Sequence, residues 1–522
     1  MTSAQQDVQA KAVHSAELGG GGRFRRLMKG WSANLVQTFL GLVQQLLLIP
    51  VFLHVWTGEM LAAWLAIYAA GSLAVIADAG LQLRAINRFL AFKTCRDCDG
   101  RTANFYAAML RIYVGGDVGL CVLLVVGALF MPPSGLLGFH TTPSFDAALL
   151  VMIVGVLLAL PANLVSGLYR ARGKYGRTVW LQNGALLIGQ IAQLIALTTT
   201  GSLVAVAAAF VSMQVLLMIY LVAYDAPRLF PFLRAGRGDR TWRWAAGQFG
   251  RAFPFAVANL SELALVNAPV LMVSALVVDR VAVAQWGLTR VIASFLRGLC
   301  AQVTLPIAAE LGHDYAIGDR ERLRQLYARG STFVTVIAST IVAGLLPFWP
   351  DFFTLWTHGS IPYDAPLAHT LLLGSAAVAP SLLALSFANH SNRGDLLVRT
   401  KGLQLIVFLV LSVVSIRWLG PLGAALAVVA SDLLVQFGLL GFVIMGATLR
   451  HPVRHALFLA AVASAIVLSG WAIGIGIASL APSTGFVHFV AESATWLIVV
   501  GIVASPLLNK RLRDGLIARI PA

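Results

Sequence analysis

Two arginines, Arg290 and Arg297, stand in a long apolar stretch of this chain. Seven residues apart, they share one helix face and lie about 10 Å apart along its axis. An arginine at mid-bilayer depth costs ~2.5–3.5 kcal/mol on insertion scales. Its planar fork of donors matches phosphate and carboxylate oxygens. The pair reads as an anion-binding ladder. Two other readings stand beside it: each arginine pairs with an acid such as Glu262, or the stretch is displaced and both side chains snorkel to an interface. Arg251 would extend the ladder, and Arg84, Arg88 or Arg111 offer a counterpart in the N-terminal half.

Polar residues also recur at helical spacing. Asn34, Gln37 and Gln44 share a face with Gly41 and Leu48; Asn183, Gln190 and Gln193 form a second stripe with Leu187; Gln248, Arg251, Phe255, Asn259 and Glu262 form a third. Such stripes avoid lipid, and either bond neighbouring helices or line a wet cavity. Of the acids in or near apolar stretches (Asp78, Asp117, Glu262, Asp432, Glu492), Glu262 and Asp78 are the candidates for ion coupling. Asp78 borders a basic loop, where capping a helix is an alternative.

Other motifs fail on context. Cys95-Arg-Asp-Cys98 lacks the second ligand pair a zinc site needs, and Asp97-Cys-Asp99 sits in a loop too short for a glycosyltransferase fold. Gly167 to Lys174 resembles a phosphate-binding loop, but its spacing is wrong and Tyr175 replaces the magnesium-binding hydroxyl. The sequence calls for no cofactor and no metal.

These residues need elements to position them, and composition says which. The chain is 522 residues long, 58% apolar and 11% charged, against roughly 25% charged in soluble domains. Its charges cluster, and the gaps are about 20 apolar residues, the length that spans a bilayer. Runs of that length favour helices over barrel strands. We expect an all-α polytopic membrane protein with about fourteen transmembrane helices, near 31–56, 60–78, 105–130, 146–167, 178–199, 203–224, 250–277, 282–308, 331–349, 367–388, 403–417, 421–446, 456–480 and 488–508.

Alternate loops carry nearly all the Lys and Arg, and the intervening loops hold only Arg280 and Arg417 of the 38. The basic side is therefore expected in the cytoplasm, with both termini inside. The net charge of +16 then serves topology and anionic lipid, and nucleic acid is not a partner. A faint repeat at an offset of 222 pairs Lys29 with Arg251 and Trp64 with Trp286. The expected organisation is a flexible cytoplasmic tail (1–30), a six-helix lobe (31–224), a cytoplasmic linker (225–249), a second six-helix lobe (250–446), two further helices (456–508) and a cytoplasmic tail (509–522). The outer loops are short, which argues against a membrane glycosyltransferase or ligase.

Several stretches resemble a known family. Ala33-Asn34-Leu35 with Leu47-Leu48-Ile49-Pro50-Val51-Phe52, Ala63-Trp64-Leu65, Ala77-Asp78-Ala79-Gly80-Leu81 and Asn87-Arg88 are similar to the opening of bacterial O-antigen and polysaccharide flippases. Gly167-Leu-Tyr-Arg-Ala-Arg-Gly-Lys-Tyr175, Trp286-Gly-Leu-Thr-Arg290, Pro306, Glu310-Leu-Gly312 and Gly318-Asp319 extend the likeness over roughly 30–450. These flippases belong to the multidrug/oligosaccharidyl-lipid/polysaccharide (MOP) exporter superfamily. Many have twelve spans; fourteen also occur, among lipid II flippases.

The resemblance implies a V-shaped transporter of two lobes working by alternating access in the bacterial inner membrane. Its cargo would be an undecaprenyl-pyrophosphate-linked oligosaccharide, its setting polysaccharide biosynthesis beside polymerase machinery, and its energy source a proton or sodium gradient or the membrane potential. The pyrophosphate would fall to the arginines and the sugars to the amides. A lipid II flippase and a multidrug cation exporter of the same superfamily are the alternatives; the second would want acids dominating its cavity.

Overall fold

The computed structural model describes residues 36, 39–41, 46–92, 100–236, 241–391, 393–480, 485–508 and 520–521. Asn34, Gln37, Gln44, Cys95, Cys98, the tail 1–30 and most of the tail 509–522 lie outside them. The described residues are helical throughout, with no strand. Among the described residues, thirteen helices are long and apolar enough to cross a membrane: Gly58–Asp78, Arg101–Phe130, Phe145–Ala171, Tyr175–Thr200, Leu203–Leu229, Asn259–Leu276, Val281–Ile317, Arg320–Trp356, Ala365–His390, Gly394–Leu419, Pro421–Thr448, Pro452–Leu480 and Phe486–Ala504. The chain is a multi-pass membrane protein. The first expected span corresponds to a shorter apolar helix, Phe39–Val55, only part of which lies among the described residues.

One boundary differs in an instructive way. The expected span 250–277 is the end of a continuous helix, Trp242–Leu276, whose apolar window begins at Asn259. Arg243, Gln248 and Arg251 make its first turns too polar for hydrocarbon.

Helix ends follow local chemistry. Thr57, Asp319 and Asp364 are N-caps whose side chains accept from Met60 N, Arg322 N and Leu367 N. Gly201 and Gly318, at φ of 62° and 79°, end the 175–200 and 281–317 helices in the left-handed conformation a Cβ disfavours.

The chain forms two compact units. One comprises Ala77–Phe130 and Asp146–Phe253 with the residues before Ile49; the other comprises Ile49–Ile76, Met131–Phe145 and Pro254–Ala522. In the first unit, the helix Leu81–Phe92 packs on Pro161–Ala171, and the 175–200 helix on Leu203–Ile219. The last turns of the 203–229 span are π-helical, Tyr220–Asp225. This segment ends at buried Asp225, which accepts from Arg177 at 2.6 and 3.0 Å and from Tyr169 Oη at 2.6 Å. That closed network ties three spans together.

In the second unit, the 281–317 helix packs on 365–390 and on Gly58–Ala74, and the 320–356 helix on 452–480. The helices carrying Trp64 and Trp286, paired by the faint repeat, therefore lie against each other. They pack closely at Gly287, where a Cβ would meet Leu65 Cδ1 at 2.8 Å and the leucine tip would have to shift. The 421–448 span contains a second π-helical segment, Asp432–Gly441. Its wider turn is rare and is frequent at functional sites.

Candidate functional site

The second unit holds a cavity of about 270 Å³, whose mostly apolar wall carries the charged groups Glu262, Arg290, Arg297, Lys401 and Asp432 with Trp286, and Ser294, Ser375, Gln404 and Gln436 between them. Five helices supply these groups. Trp286, Arg290, Ser294 and Arg297 come from 281–317 at spacings of four, four and three, so the ladder face expected from the sequence is the face turned to the cavity. Lys401 and Gln404 come from 394–419, and Asp432 and Gln436 from the π-helical segment.

The two arginines have different surroundings. Arg297 forms an ion pair with Asp432, not with Glu262. Asp432 is 4% exposed and accepts a second hydrogen bond, 2.5 Å, from Gln404 Nε2. Lys401, read from the sequence as part of a basic loop, is buried in the second turn of its helix. It donates to Gln436 Oε1 at 3.0 Å and pairs with Glu262 at 3.5 Å, while Gln436 Nε2 donates to Ser381 Oγ at 2.9 Å. Arg290 is left over. Its Nε and Nη1 are out of solvent with no hydrogen-bond partner among the described residues, and so is Trp286 Nε1 one turn away. Tyr68 is its polar neighbour. Guanidinium and indole N–H groups only donate. The unmet capacity at these two side chains is therefore all donor.

The charges agree. Arg290, Arg297 and Lys401 face two carboxylates, Glu262 and Asp432, which leaves one positive charge uncompensated. Buried donors around an uncompensated cation form a seat for an anion.

The other sequence candidates fall elsewhere. In the first unit, Arg84 donates from Nε to Gln248 Oε1 at 3.4 Å. Burial first, then the nearby charges of Arg88 and Arg251, holds the Arg84 guanidinium below the ordinary arginine range. Arg84, Arg88 and Arg251 thus form a second basic cluster, and Arg88 also lies over the Phe92 ring at 5.9 Å. Arg111, Arg251 and Asn259 are exposed, and Glu262 is 62% exposed, so the third stripe does not act as one buried face. The second stripe is buried at all three amides, Asn183, Gln190 and Gln193. Gln190 donates to Leu40 O at 3.2 Å.

Of the two roles the sequence left open for Asp78, capping is the one its contacts show. It accepts from Gln82 N at 3.2 Å, capping the 81–92 helix. It also accepts from Tyr113 Oη at 2.5 Å and from the Asn163 side chain. Buried Asp117, one turn beyond Tyr113, lies within its electrostatic reach and has Oδ2 without a partner among the described residues.

Sequence reasoning found Arg290 and Arg297 but not Lys401, Gln404 and Gln436, and it gave Asp432 no role here.

No protein-family model and no curated protein matches the chain. Solved structures do. A lipid II flippase, MurJ, in an inward closed conformation superimposes with TM-score 0.71 at 14% identity, over 92% of this chain and 99% of that one. An inward-facing MATE-family multidrug resistance transporter of the MOP superfamily superimposes with TM-score 0.59 at 15% identity, over 82% and 95%. The chain shares the fold of these transporters.

Proposed function

We propose that the chain is a flippase that moves an undecaprenyl-pyrophosphate-linked oligosaccharide from the cytoplasmic to the periplasmic leaflet of the inner membrane, by alternating access, for polysaccharide biosynthesis. The observation that carries this reading is the cavity whose unmet hydrogen-bonding capacity is all donor, at Arg290 and Trp286. A diphosphate supplies the acceptors and the charge. Ser294, Ser375 and the amides suit sugar hydroxyls. Cations dominate this cavity, which disfavours a multidrug cation as cargo. The isoprenoid tail is assigned to an apolar groove of about 420 Å³ formed by Leu373, Pro380, Phe437, Leu459, Ala463 and Val467, beside the 452–480 helix.

A peptidoglycan precursor is the second reading, favoured by the helices 452–480 and 486–504 beyond twelve spans and by the superposition on a lipid II flippase. It brings the same diphosphate and a different sugar. Coupling is assigned to Asp78, buried without a cation, with Glu262 as the exposed alternative. Outward movement of negative charge from a negative interior gains about 2.3 kcal/mol per charge per 100 mV, so the membrane potential supplies direction as well. Polymerase machinery is the expected partner on the outer side.

The test measures glycan export and membrane abundance together for Arg290→Ala and Arg290→Lys. Loss of export with normal abundance, partly restored by Lys, is the expected result. Normal export in both would return Arg290 to a structural role. Orientation has its own check: a cysteine at Ser360 should react with an impermeant label from outside, and one at Gly394 only from inside. The reverse pattern would overturn the direction of transport.

A further inference from the structure

We propose that Asp432 is the resident counter-ion of the cavity: its carboxylate occupies a seat that the diphosphate of the ligand takes, and binding exchanges one for the other on Arg297. This inference rests on the anion-cavity reading above.

Charge counting leads to it. One positive charge in the cavity is uncompensated, so a monoanion neutralises it without disturbing any pair. A ligand with two or more negative charges overfills the cavity unless a carboxylate yields its cation. Two carboxylates are available, and they are not equivalent. Glu262 is 62% exposed and sits 3.5 Å from Lys401, so water screens that pair and its loss changes little. Asp432 is 4% exposed and its partner Arg297 33%, so the competition for Arg297 takes place largely out of water, where it counts most.

The geometry also provides for the exchange. Arg297 stands seven residues from unpartnered Arg290 on the same face, so a diphosphate held at Arg290 has its next cation at Arg297. Asp432 bonds Arg297 through Oδ2 and Gln404 through Oδ1. When Arg297 turns to the ligand, Gln404 keeps the released carboxylate in place. Asp432 also opens the π-helical segment that carries Gln436, the partner of Lys401. Asp432 is contacted by Arg297 from one helix and Gln404 from another, and Arg290, Lys401 and Glu262 line the same cavity. Return of the carboxylate to Arg297 then helps to expel the ligand, so Asp432 limits affinity and speeds release.

The experiment titrates the purified full-length protein calorimetrically with inorganic pyrophosphate and, separately, with farnesyl diphosphate. Asp432→Asn, which keeps an oxygen for Gln404, should bind tighter by about tenfold or more while exporting glycan more slowly. An equal gain for both probes supports the exchange with the diphosphate sufficient; a gain confined to farnesyl diphosphate supports it and assigns the ligand as lipid-linked. A second measurement stands if the variant fails to accumulate: the infrared difference spectrum of the wild-type protein on saturation with pyrophosphate should show a change in carboxylate stretching. Unchanged or weaker binding in folded Asp432→Asn, or no carboxylate change in the wild type, overturns the counter-ion role. Arg290→Ala separates the two ideas, because wild-type binding of both probes in that variant would overturn the anion cavity itself.

Discussion

Among the described residues, the first unit buries two acids, Asp78 and Asp117, without a base, and the second holds a base, Arg290, whose Nε and Nη1 are out of solvent without an acid. Asp78 is held by Tyr113, Gln82 N and Asn163, with Asp117 beside it, and no basic side chain pairs with either carboxylate among the described residues. Arg290 has Tyr68 nearby and two guanidinium nitrogens without hydrogen-bond partners among the described residues. The difference lies in what each group can do about its burial. A carboxyl group can accept a proton and become neutral, whereas a guanidinium keeps its charge. Burial in the first unit is therefore compatible with a proton as the only ligand, and burial in the second is compatible with an anion from outside.

The sharpest way to break this contrast is Arg290→Ala, expected to lower export about a hundredfold with membrane abundance unchanged on immunoblotting. Arg290→Lys should fall between, since Lys keeps the charge and loses the planar fork. Next in size is Asp78→Asn, expected to remove most of the gradient dependence of export, about tenfold at full gradient, as read by imposing and collapsing the proton gradient in inverted vesicles. Tyr113→Phe should act in the same direction more weakly. Retained gradient dependence in Asp78→Asn would leave the acids of the first unit structural.

Asp225 sharpens the comparison, because it is a buried acid whose base is present. Its hydrogen bonds from Arg177 and Tyr169 make it a tie between helices, so Asp225→Ala should reduce thermal stability by about 2 kcal/mol, below the full penalty for a stranded buried charge because Arg177 is 46% exposed. Arg177→Ala combined with Asp225→Ala should recover part of that loss in a detergent melting assay. The smallest effect belongs to Glu262→Gln: exposed, and paired only at 3.5 Å, it should change export less than about threefold.

Some of this could be read in advance, for identifiable reasons. The spans are written as apolar runs that the bilayer requires. Arg290 and Arg297 announce themselves because a cation in such a run is costly, and their spacing places them on one face whatever the neighbours are. Lys401 was hidden by its company: it follows Arg393 and Arg399 closely in sequence, while a further half-turn of helix carries it out of the basic stretch into the cavity. Asp432 was visible as an acid but not as a partner, since its arginine lies 135 residues away and no local pattern encodes that pairing. The π-helical segment that aims it is a backbone bonding choice with no residue signature of its own. Arg251 and Asn259 show the opposite limit: periodicity puts them on a shared face with Glu262, and both are exposed, but nothing in the period says what the face meets.

The long separation between Arg297 and Asp432 has a consequence in time. Synthesis proceeds at about 5–20 residues per second, so the 135 residues between them take roughly 7–27 s to make. During that interval the 281–317 helix exists without its carboxylate, and Arg290 has no ligand. On insertion scales each unneutralised guanidinium at mid-bilayer depth costs ~2.5–3.5 kcal/mol, and delivery of the 421–448 helix relieves that cost at Arg297. Assembly of the second unit is thus ordered by the arrival of one aspartate, and a chain truncated before Asp432 should be handed to membrane proteolysis rather than stored as a partial bundle.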